Sequence, residues 1–121
     1  MIVLDASAIL AFLQGEPGAG RAEEVLAEGV VGAANWSEAA QKVIVRGGDW
    51  GQARAILLSY GLRVEPVTES DAEYAARLWR RDSGLSLGDR LCLALGSRLN
   101  CAVLTADRAW GTSVGVEQLR E

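Results

Sequence analysis

The sequence predicts an α/β domain in which a mostly parallel sheet is covered by helices. Short apolar runs alternate with amphipathic stretches along the whole chain, the pattern of successive strand and helix units. Half of the residues are hydrophobic but only 6% are aromatic, so Ala, Val, Leu and Ile must fill the core. Its 121 residues suit one compact domain, spanning residues 1–121, with a single core.

Each element has a local cause. Met1 to Leu4 is an apolar run stopped by Asp5 and reads as a buried strand. Ser7 to Gln14 reads as a short helix, Gly15 to Gly20 as a turn region around Pro17, and Arg21 to Glu28 as an amphipathic helix. Gly29 to Ala34 is a second strand. Trp36 to Arg46 and Trp50 to Tyr60 are helical, separated by Gly47-Gly48, with Gly61 as a stop. Leu62 to Val67 is a third strand. Thr68 with Asp71 forms a capping-box pattern for a helix running through Arg81, and Ser86 with Asp89 forms another for a helix ending near Asn100. Cys101 to Leu104 is a fourth strand, and Val114 to Glu117 a short edge strand.

Composition narrows the chemistry. With no histidine, imidazole general bases, Ser-His-Asp or Cys-His schemes and histidine-rich zinc sites are excluded. Oxygen ligands remain, and these favour hard divalent cations such as Mg2+ or Mn2+. A net charge of −4 argues against general adhesion to nucleic acid, so any nucleic acid must be held locally. Lys42 is the only lysine among twelve basic residues; the arginine bias suits phosphate or carboxylate recognition and equally reflects base composition of the gene. No apolar run reaches membrane-spanning length, and the amino terminus lacks a basic region before an apolar stretch; a soluble, cytoplasmic protein is expected. Cys92 and Cys101 lack a CxxC spacing, lie in apolar surroundings and read as reduced core residues.

Four acids stand at element boundaries: Asp5, Glu38, Asp89 and Asp107. In parallel sheets, ligand sites gather outside the carboxyl ends of strands, and Asp5 and Asp107 each follow a strand directly. Asp89 projects on an arc with Cys92, Leu93 and Gly96, where a carboxylate needs a partner. It also serves as a helix-start acid, worth about 0.5 to 1 kcal/mol. Glu38 follows Asn35 by three residues, an N-cap spacing, and precedes Lys42 by four, the order of a surface ion pair. Read singly, each acid is as well explained by capping or solvation as by chemistry.

Taken together they resemble a family. Asp5-Ala6-Ser7 after the first strand, Asn35-Trp36-Ser37-Glu38, Ser86-Leu87-Gly88-Asp89 and Thr105-Ala106-Asp107-Arg108-Ala109-Trp110 look like the four acidic motifs of PIN-domain ribonucleases, specifically the VapC-type toxins. The resemblance runs through essentially the whole chain in order and spacing. It implies a three-layer α/β/α sandwich and metal-dependent endonucleolytic cleavage of RNA. Asp5, Glu38, Asp89 and Asp107 would be catalytic, with Asp5, Asp89 and Asp107 holding Mg2+ or Mn2+. It further implies site hydroxyls at Ser7 and Thr105, a cognate antitoxin that plugs the acidic site, and a homodimer. Arg108, Arg80 and Arg81 are candidates to meet phosphate, and Trp36 and Trp110 to stack bases, although packing is the commoner use of such tryptophans. Leu57, Leu58 and Tyr60 suit either an interface or the core.

Two rivals compete. A phosphoacceptor signalling domain shares the strand-end aspartates but needs a lysine beyond a later strand, whereas Lys42 lies mid-chain in a helix. A noncatalytic PIN-like interaction module would have no reason to keep four mutually repelling acids. A nuclease acting mainly on DNA stays open, since no residue pattern here reads a 2′-hydroxyl.

Overall fold

The computed structural model describes residues 1–112 and 115–120. The strands are β1 (Ile2–Leu4), β2 (Gly29–Gly32), β3 (Arg63–Glu65), β4 (Val103–Thr105) and β5 (Val116–Gln118). All pair in parallel, in the order β3-β2-β1-β4-β5. The helices are α1 (Ala6–Gln14), α2 (Ala19–Val25), α3 (Ala33–Val45), α4 (Trp50–Ser59), α5 (Glu69–Arg77) and α6 (Leu87–Leu99).

The strands place successive residues on opposite faces, as the period of two requires. Ile2, Leu4, Val31 and Leu104 join Ile9, Leu26 and Leu57 of α1, α4 and the turn after α2 in one core. Val3, Val30 and Val103 join Cys92 and Leu95 of α6, with Trp110, in the other. The sheet is therefore the middle of three layers, as expected. Gly96 brings α6 close to the sheet, because a Cβ there would stand 2.6 Å from Val103 Cγ2.

Several boundaries shift for identifiable reasons. Helix α1 starts one residue early, at Ala6, because Asp5 caps it, and Gly15 closes it in the left-handed region at φ 63°. The stretch expected to be helical from Arg21 to Glu28 begins at Ala19 and tightens to a 3-10 turn over Leu26–Glu28. Strand β3 stops before Pro66, which has no N–H for the ladder. The helix expected to run to Arg81 ends at Arg77; Arg80 Nη1 donates to the carbonyls of Arg77 and Trp79, and Asp82 and Gly84 turn left-handed. The fourth strand is Val103–Thr105 in place of Cys101–Leu104. Of the expected Val114–Glu117 strand, Val114 lies outside the described residues, and β5 covers Val116–Gln118.

Candidate active site

In the order β3-β2-β1-β4-β5 the chain direction across the sheet reverses between β1 and β4. A crevice opens at such a switch point, outside the carboxyl ends of the strands. Asp5 follows β1 and Thr105 ends β4, so this crevice carries both.

Asp5 is buried, with 3% of its surface exposed. Its Oδ1 accepts the Ala8 N–H at 2.9 Å and the Ser7 hydroxyl at 2.7 Å; its Oδ2 accepts the Thr105 hydroxyl at 2.5 Å. Each hydroxyl in turn accepts a backbone N–H, Ser7 from Ala106 at 2.8 Å and Thr105 from Asp107 at 3.0 Å. The β1–α1 turn and the end of β4 are thereby sewn together around one carboxylate. Burial raises the Asp5 pKa above its ordinary value; the bonds from Thr105, Ser7 and Ala8 oppose the rise, and Asp89 adds to it.

Asp89 enters from α6. Its Oδ2 accepts the Ser86 N–H at 2.9 Å while its own N–H donates to Ser86 Oγ at 3.1 Å, a complete capping box. Glu38 enters from α3, half-buried, and its pKa is raised by burial and then by the charges of Asp89 and Asp5, against an opposing pull from Lys42. A Cβ built on Gly88 would overlap a Glu38 carboxylate oxygen, so the missing side chain there admits Glu38 to the site. The same three acids bear on Cys92, one turn below Asp89, whose thiol is pushed well up by burial and then by Asp5, Asp89 and Glu38.

Asp107 stands at the rim. It is exposed, its Oδ1 accepts the Ala109 N–H at 2.9 Å, and it connects to Asp5 through the Thr105 hydroxyl. Three of the four expected acids thus act on one another electrostatically and the fourth flanks them. Among the described residues, no group of three or more acids or thiols is poised to hold a metal ion. The donor set still suits a hard divalent ion: the facing groups are all carboxylates, and two of them are raised by burial and mutual repulsion, which a cation would relieve.

Asn35 is a site residue that sequence reasoning assigned to capping. Helix α3 begins at Ala33 with Gly32 as its N-cap, and Asn35 is buried instead. Its Oδ1 accepts the Ala6 N–H at 3.0 Å and its Nδ2 donates to the Gly88 carbonyl at 3.1 Å. One side chain therefore fixes the residue after Asp5 to the residue before Asp89, from the helix that carries Glu38. A signal was present: Asn35 shares an i, i+4 stripe with Ala39 and Val43, the buried face of α3.

Both tryptophans pack. Trp36 meets Trp50 edge to face at 4.9 Å, and Trp110 is buried in the α6-side core. Leu57 is buried, whereas Tyr60 is exposed and donates to Glu23 at 2.7 Å. Arg108 borders a hollow of about 370 Å3 with Gln118 and Arg120. A hollow of about 540 Å3 at the start of β4 and β5, next to Tyr74 and Leu93, has no carboxylate and no cation and lies away from the acids.

A parallel α/β domain with carboxylates at its switch point defines a class of acidic-site domains. The PIN-domain model matches residues 2–111, and the chain belongs to the PIN-domain family. No curated protein matches the sequence. Among solved structures, a toxin–antitoxin complex from Klebsiella pneumoniae superposes with TM-score 0.81 at 19% identity, over 100% of this chain and 99% of that one. The sarcin–ricin-loop-cleaving toxin VapC20 of Mycobacterium tuberculosis gives 0.68 at 24%, over 88% of each chain. VapBC2 from Rickettsia felis, bound to a DNA fragment from its promoter, gives 0.69 at 16%, over 98% of each. No helix of the described residues is long and apolar enough to cross a membrane.

Proposed function

We propose that residues 1–121 form a single nuclease domain, a metal-dependent endoribonuclease of the VapC toxin type. The observation that carries this reading is the convergence of Asp5, Glu38 and Asp89 at the switch point, with Asp5 and Glu38 raised by burial and by their neighbours. The toxin–antitoxin complexes among the structural relatives support a cognate antitoxin as partner, and the sarcin–ricin loop cleaved by VapC20 supports RNA as substrate. A cytoplasmic homodimer is the assembly we infer.

Asp5, Asp89 and Asp107 would hold Mg2+ or Mn2+. When bound, the ion supplies neutralisation of phosphate charge and polarisation of the attacking water. Ser7 and Thr105 fix the direction of the Asp5 carboxylate by donating to both of its oxygens. Glu38, the remaining acid of the group, would accept the proton that the attacking water gives up. The amino ends of α1 and α6, whose partial positive charge lies beside Asp5 and Asp89, also attract the phosphate that must enter. Arg108 meets a neighbouring phosphate.

The test is incubation of the purified protein with structured cellular RNAs in Mg2+, in Mn2+ and in chelator, beside Asp5→Asn. Metal-dependent cleavage that Asp5→Asn abolishes supports the reading. If wild type and variant are equally inactive and calorimetry detects no binding of either metal, the nuclease reading fails and a noncatalytic interaction module replaces it.

A further inference from the structure

Beside the acids lies a hollow of about 270 Å3 lined by Ser7, Leu10, Glu16, Lys42, Arg46, Ala106, Asp107 and Arg120. Three cations face it against two carboxylates, in a chain whose net charge is −4. Glu38 and Lys42 stand four residues apart on α3, and Arg46, its C-cap, follows four further on, so one stripe leads from the acid group into this hollow. Ser7 belongs to both places, since it borders the hollow and donates to Asp5.

The cations are not consumed by the fold. Among the described residues, no salt bridge engages Lys42, Arg46 or Arg120, in contrast to Arg21 and Arg98, which are paired with Glu117 and Asp71. Arg120 Nε is buried without a hydrogen-bond partner among those residues. The hollow therefore combines positive charge with direct continuity with the acids.

We propose that Lys42, Arg46 and Arg120 form a phosphate-binding subsite that seats the backbone phosphate next to the one at Asp5 and Asp89. This rests on the nuclease reading of the acid group and extends it to the path of the substrate. The ligand is the phosphodiester backbone of a single-stranded RNA segment. Anchoring one phosphate in the hollow fixes the register of the next at the carboxylates without contacting any base, so the subsite contributes affinity and position but no sequence preference. Glu16 opposes it from the wall and weakens the anion's hold.

The experiment measures binding of a fluorescein-labelled single-stranded RNA of mixed sequence by anisotropy, in chelator so that no cleavage occurs, across a salt series. The combined Lys42→Gln, Arg46→Gln and Arg120→Gln variant is expected to bind about tenfold more weakly. Its log–log salt slope should be shallower by about 0.7, the contribution of one single-strand phosphate. Glu16→Gln should bind more tightly, a gain that a folding defect cannot mimic, while Arg77→Gln on α5 removes one positive charge elsewhere and should change affinity less than about twofold. Wild-type binding that is undetectable, equal in the triple variant, or equally weakened by Arg77→Gln overturns the subsite. Cleavage assays of the same proteins in Mn2+ separate the two readings. A cleaving wild type whose triple variant binds equally well leaves the nuclease standing without the subsite. Subsite-dependent binding with no hydrolysis in either metal leaves the subsite standing without the nuclease.

Discussion

Helices α5 and α6 open on the same local device and put it to opposite uses. Thr68 with Asp71 and Ser86 with Asp89 both form complete capping boxes. At α5 the remaining carboxylate oxygen of Asp71 accepts from Arg98 Nε at 2.9 Å, and the Arg98 guanidinium also reaches the Pro66 carbonyl. Burial raises the Asp71 pKa, but the bonds from Arg98 and Thr68 outweigh it and the net shift is downward. At α6 Asp89 faces Asp5 and Glu38, and its charge raises both. The difference lies in the third partner: a guanidinium makes a capping acid into a fastener, whereas facing carboxylates leave it in want of a cation.

Substituting Asn for Asp in the two boxes is the strongest way to separate them, because Asn keeps a side-chain oxygen that can accept the N-cap N–H of each box. Asp89→Asn is expected to lower RNA cleavage on the order of a hundredfold, about 2.7 kcal/mol of transition-state stabilisation. Its denaturant midpoint should stay close to wild type.

Asp71→Asn should do the reverse, costing roughly 2 kcal/mol of unfolding free energy by removing a charge-assisted bond and leaving Arg98 without its closest partner. Its effect on cleavage by the folded protein should be negligible. Because the folded pKa is lowered, the stabilisation from Asp71 is fully present above the ordinary value of 3.8 and is lost as pH falls through the folded value. The gap between wild type and Asp71→Asn in chemical unfolding should therefore be constant at neutral pH and close in acid.

Asn35→Ala tests the bridge between Asp5 and Asp89. Loss of these two hydrogen bonds should cost about 2 kcal/mol, and Asn35→Ser, which can keep only part of the bridge, should retain more of the metal affinity read by calorimetry. Gly88→Ala should lower cleavage by about tenfold through displacement of Glu38, with little loss of stability because Ala favours a helix. The smallest effect belongs to Asp5→Asn in chelator. The raised pKa means that ionised Asp5 destabilises the metal-free fold above 3.8, increasingly as pH rises through the folded value. The variant should melt slightly above wild type at neutral pH, converge with it in acid, and lose the melting-temperature increase that Mn2+ gives the wild type.

The legible part of the molecule was the local part. β1, both capping boxes and the helix stop at Asn100 follow from residues within a turn of one another, so their sequence signals survive folding unchanged. Glu38 was not legible from periodicity: its spacing to Lys42 suggested a solvated pair, and only the likeness of four motifs to the PIN family drew it towards the site. Asn35 was misread because its partners lie 29 and 53 residues away, beyond any window in which N-cap spacing is judged. The early end of α5 depended on Arg80 folding back onto the carbonyls of Arg77 and Trp79, a conformation that no helical propensity encodes.

Asp5 and Asp107 each cap the segment that follows them, and Asp89 closes the capping box of α6, with side chains accepting from Ala8, Ala109 and Ser86. Aspartate and asparagine codons differ by a single base, so under the proposed nuclease function the chain lies one point mutation from an inert copy that keeps these caps. With a cognate antitoxin bound at this site, as we propose, such a copy would occupy it as well as the active form does, and in a mixed population would leave active chains unbound.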